Sequence, residues 1–131
     1  MAGRIIGTIL VVLVIIYVIP FAVYGALSAL LGLKAPGEVS PAQFLLSVLV
    51  SKVGTAIAFV VILYFARSAL SRRWLLYAFL WWTMYVIGEV GQAIGPNYTW
   101  IEAIAGILSE TLYFPLSAYL ANRLVGGAAA V

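Results

Sequence analysis

Apolar positions run through this chain in four long stretches, with neither the strict alternation of a half-buried strand nor the one-sided stripe of a surface helix. The first spans Ile5 to Leu31 and carries Pro20 inside it; the second opens at "SPAQ" and passes Ala66 towards Arg67. The third runs from Trp74 to Gly95, and the fourth passes Pro115 and stops near Gly126. Each is long enough for the roughly 20 residues that cross a bilayer core. The pattern predicts an all-α, polytopic membrane protein: a four-transmembrane-helix antiparallel bundle and one integral membrane domain over residues 1–131. Its helices are expected at about 5–31, 41–67, 74–95 and 100–125. A small-residue run, "ALSA" at Ala26 to Ala29, resembles an export cleavage site, but the apolar run before it is too long for a signal core.

Local chemistry marks the helix ends. Ser40 can cap the second helix with Pro41 at its first position and Gln43 closing a capping box. "GPNY" reads as a turn. In "TWIE", Thr99 caps the last helix and Glu102 reaches back to it.

Composition agrees with a bilayer. Apolar residues make up 66% of the 131-residue chain and charged residues 8%, against about 25% charged in a soluble domain. Cysteine and histidine are both absent. Disulfides, thiolate or imidazole metal sites, His-ligated haem and a Cys or His nucleophile are therefore excluded, and neither metal nor cofactor is expected. The formal charge is +3, yet the basic residues form no stripe that nucleic acid would need. They mark topology instead. Arg4, the group Arg67, Arg72 and Arg73, and Arg123 fall on one side, against Lys34 with Glu38 on the other. Both termini and the middle connection are then expected in the cytoplasm.

Charges inside the apolar stretches carry the candidate chemistry. By the helical rise, Glu110 lies roughly 20 Å from Arg123, Lys52 roughly 22 Å from Arg67 and Glu89 roughly 22 Å from Trp74. Three charges on three helices thus fall near one height, although from the outer ends Glu89 comes out roughly 6 Å shallower than Glu110. A charge at such depth costs about 2.5–3.5 kcal/mol on insertion scales. These groups must pair, give up their charge or meet water. Lys52 can pair with one glutamate, leaving the other as an acid able to take up and release a proton.

Their neighbours suit a cation. Pro115 has no N–H to give the carbonyl of Thr111, beside Glu110, and Tyr113 lies one turn on. Trp82, Tyr85, Glu89 and Gln92 share a face by helical spacing, and aromatic rings around a carboxylate suit an organic cation. Gly88, Gly91 and Gly95 permit close helix approach. Plainer roles are open to the same residues: Lys52 can snorkel, the acids can hold helices in register, the prolines can kink, and the rings can be bundle core.

Three functions compete. The first is a proton- or cation-coupled transporter or channel, a homo-oligomer using Glu110 and Glu89. The second is an accessory subunit of a larger membrane complex, held by interhelical ion pairs. The third, and weakest, is a lipid-binding or lipid-modifying protein with the two glutamates as acid and base; a non-enzymatic role is favoured. In plan alone, short four-helix chains with a membrane glutamate, this one loosely resembles the small multidrug transporters. Their essential glutamate sits in helix one, and helix one here has no acid.

Overall fold

The computed structural model describes residues 1–32 and 40–127, and these are all-helical, with no strand among them. Lys34 and Glu38, used above to weigh the two sides of the membrane, lie outside the described residues. Helix α1 spans Ala2–Leu31, α2 Pro41–Phe65, the short α3 Arg67–Leu70, α4 Trp74–Ile94 and α5 Trp100–Ala121. A 3₁₀ turn, Ser71–Arg73, leads into α4, and one wide π turn, Asn122–Gly126, follows α5.

The caps explain these limits. Gly32 adopts a left-handed conformation (φ 68°) that a side chain would resist, and its N–H bonds the Ser28 carbonyl, ending α1. Ser40 accepts from the Gln43 N–H at the start of α2, the hydroxyl half of the box expected there. At α5 both halves form: Thr99 Oγ1 accepts from the Glu102 N–H at 3.2 Å, and Glu102 Oε2 accepts from the Thr99 N–H at 2.7 Å. Thr99→Ala is expected to lower stability by about 1 kcal/mol, read as a drop in the thermal midpoint in detergent; an unchanged midpoint would contradict the capping role. Both prolines lie within continuous helix, Pro20 in α1 and Pro115 in α5.

Three helices among the described residues are long and apolar enough to cross a membrane: α1, α2 and α5 with its terminal turn. Helix α4 is 21 residues long and carries Glu89, Gln92 and a run of Trp and Tyr among its apolar residues.

Helix α5 is the most buried element. Ala103, Gly106, Ala118 and Ala121 keep its surface low so that α1 and α4 pack closely on it, and α1 in turn packs on α2. Thr8, Val12 and Ile16, four residues apart, form the buried stripe of α1. The gap between α2 and α4 is wider and filled by rings. Phe59 lies 4.8 Å from Tyr77, 5.4 Å from Trp81 and 5.9 Å from Phe114, centroid to centroid, and the Tyr77 hydroxyl donates to the Phe59 carbonyl.

The arginine-bearing ends come together. Asn122 Nδ2 donates to the Ser71 carbonyl at 2.9 Å, tying the end of α5 to the turn before α4. Arg67 stacks on Tyr64, and Arg123 donates to the Tyr119 hydroxyl.

Candidate functional site

Glu110 and Glu89 meet. Glu110, 2% exposed on α5, and half-buried Glu89 on α4 bring their carboxyl groups within hydrogen-bonding reach of each other. Gly106 makes this possible. It lies one turn before Glu110 on the same face, and the Glu89 carboxyl occupies the place a Cβ at Gly106 would take. Any side chain there would push Glu89 away.

The pair is held from one side. Tyr98, in the turn between α4 and α5, donates its hydroxyl proton to Glu89 Oε2 at 2.5 Å. Burial foremost, and then the Glu89 carboxylate beside it, raise this phenol well above its ordinary range, so Tyr98 stays a donor. The Tyr24 hydroxyl from α1 lies 3.5 Å from Tyr98 Oη and 3.3 Å from the Glu102 carbonyl. A string of hydroxyls thus runs from the capped end of α5 down to the carboxyl pair. On Glu110, Oε2 is buried and has no hydrogen-bond donor against it. Two carboxylates in contact repel unless a proton or a cation lies between them.

Lys52 does not form the ion pair expected of it. Its ammonium donates to Tyr113 Oη at 3.2 Å and lies 4.8 Å from the Tyr113 ring centroid and 5.9 Å from that of Tyr85. The physical reason is a competing site: two aromatic faces and a phenol hold the ammonium, while both carboxyls act on it only through space. The three helices do converge, since both carboxyls act electrostatically on Lys52, but its hydrogen bond goes to Tyr113. Tyr85 is anchored by Thr55, whose Oγ1 lies 2.5 Å from its hydroxyl.

Trp82 and Glu89, two turns apart on α4, both face α5, while Tyr85, Glu89 and Gln92 also border a groove towards α2. Trp82 turns towards α5 and donates to Thr111 Oγ1 at 2.9 Å, while Thr111 donates to the Ile107 carbonyl. Both residues therefore belong to a helix–helix clasp. Trp81 takes the place assigned to Trp82. With Ile62 of α2 and Met84, Tyr85, Gly88, Glu89 and Gln92 of α4, it lines a groove of ≈ 590 Å³.

The glycines also differ. A Cβ at Gly88 or Gly91 would meet nothing within 4 Å, and at Gly95 only the Gln92 carbonyl at 3.2 Å, so within this chain they bring no helix close. Gly106 does that. Its signal in the sequence was its spacing of four from Glu110; Tyr98 stood only within the "GPNY" turn, and Trp81 differed from Trp82 by a choice of face. Compared with known proteins, the chain matches no family, no curated protein and no solved structure.

Proposed function

We propose that this chain is a multi-pass protein of the cytoplasmic membrane, a proton- or cation-coupled transporter or channel whose ion site is the Glu110–Glu89 pair. In this reading α4 is a fourth span, the four long helices run antiparallel, and both termini lie in the cytoplasm with the arginines. The single observation that supports it is the buried carboxyl pair, with Glu110 Oε2 lacking any donor. A structural salt link sets a carboxylate against a cationic side chain, whereas an ion carrier keeps a carboxylate oxygen unpartnered by the protein. Four helices leave little room for a private pathway, and in this reading the working unit is a homo-oligomer in the bilayer. A subunit held by interhelical ion pairs has less support, because Lys52 turns to Tyr113 rather than to a carboxylate.

The test is flux. Proteoliposomes carrying an internal pH dye, driven by a proton or sodium gradient, should show transport by the wild type and at least a tenfold loss in Glu110→Gln. The variant should elute from gel filtration as the wild type does. Unchanged flux in that variant would remove Glu110 from the mechanism.

A further inference from the structure

We propose that the groove between α2 and α4 binds a flat organic cation that enters from the bilayer, its charged end on Glu89 and its rings against Trp81 and Tyr85. The inference rests on the ion-site reading of Glu89 and adds to it a substrate class.

The chemistry of the lining points to this occupant. At ≈ 590 Å³ the groove is within the range of small-molecule sites. Two of its walls are aromatic, and Ile62 and the thioether of Met84 add soft apolar surface, so the body of the ligand should be apolar and thin. Gly88 leaves the floor without a side chain, and the space above it is open. The polar lining residues are Glu89 and Gln92, one turn apart on α4, and the Glu89 carboxyl at the end of its flexible side chain lies on the α5 side, against Gly106. An anion would meet the carboxylate, and a neutral lipid chain would leave it without a counter-charge; a cation satisfies it and gains the ring faces as well. The neighbouring rings already act this way, since Tyr113 and Tyr85 hold the Lys52 ammonium within 4.8 and 5.9 Å of their centroids.

Glu89 belongs both to this groove and to the carboxyl pair, reaching Gly106 and Glu110 on one side and lining the groove on the other. A cation in the groove therefore competes with Glu110 and Tyr98 for one carboxylate. That is a direct physical link between ligand and ion.

N-methylacridinium, flat and permanently charged, is a suitable probe, with 9-methylanthracene as its neutral isostere. Binding is measured in nanodiscs, with empty nanodiscs subtracted. Wild type should bind the cation saturably, and the isostere should not compete. Gly88→Leu fills the groove without touching the carboxyl pair, and leucine suits an exposed helical position better than glycine. It should weaken binding at least tenfold while the pH-dependent carboxyl-stretch bands of the glutamates stay as in wild type. Equal binding by wild type and Gly88→Leu, or competition by the isostere at similar concentration, would overturn the groove site. Loss of binding together with the absence of any pH-dependent carboxyl band in wild type would instead overturn the ion-site reading beneath it.

Discussion

Replacing Gly106 with alanine is expected to abolish most transport while leaving the fold standing. The added methyl would occupy the space now filled by the Glu89 carboxyl. What it meets is the free end of a flexible side chain, so Glu89 can swing aside without the helices parting. Alanine is also the better helix former by about 1 kcal/mol, which offsets small losses in packing. The two terms together predict a thermal midpoint within a few degrees of wild type. The carboxyl pair fares differently. Glu89 would leave the reach of Glu110 and the Tyr98 hydroxyl, and a site that depends on their contact would empty. Flux in proteoliposomes should fall at least tenfold beside that nearly unchanged midpoint. Normal flux from a folded Gly106→Ala protein would mean that the contact between the glutamates plays no part in transport.

The largest effect on stability is expected at Phe59, far from any charge. Its side chain is fully buried and touches Tyr77, Trp81 and Phe114 across the wide gap between α2, α4 and α5. Helices α2 and α4 have few direct backbone contacts, so these rings are the material that joins them. Phe59→Ala removes a ring whose loss from a core costs about 3–5 kcal/mol. The Tyr77 hydroxyl, which donates to the Phe59 carbonyl, would persist as a bond to backbone but on a loosened helix. Thermal unfolding in detergent should show a large downward shift and early aggregation. A loss below about 1 kcal/mol would show that lipid or a second copy of the chain can replace the cluster, since mutational costs of that size belong to surface sites.

Much of the fold was legible because the signals are strong and local. Caps at Ser40 and Thr99 fix helix starts through one or two hydrogen bonds each, and such bonds need no tertiary context. Helix depth was also readable: a constant rise placed Glu89 and Glu110 at neighbouring heights on separate helices, and they meet. Rotation was harder. Helical spacing alone cannot tell whether Trp81 or Trp82 faces α2, because that depends on how α4 rolls against α5, and the roll is set by the Trp82–Thr111 hydrogen bond and the notch at Gly106. Lys52 shows the same limit in its energetics. Opposite charges suggested an ion pair, but the ammonium found two ring faces and a phenol nearer to hand. Glycines at positions 88 and 91 read as contact points by their spacing, while the space beside them is open.

The measurement that bears most directly on the carboxyl pair is an infrared difference titration of the carboxyl stretch in nanodiscs. Wild type is compared with Glu110→Gln and Glu89→Gln as pH is varied and a cation is then added. If the pair holds a proton or a cation, wild type should show a carboxyl band that changes within the accessible pH range and again on adding the cation. Each single variant should lose or shift that band, because each removes one half of the pair. Spectra that do not change with pH or cation, or that change identically in wild type and both variants, would contradict an ion site built from Glu110 and Glu89.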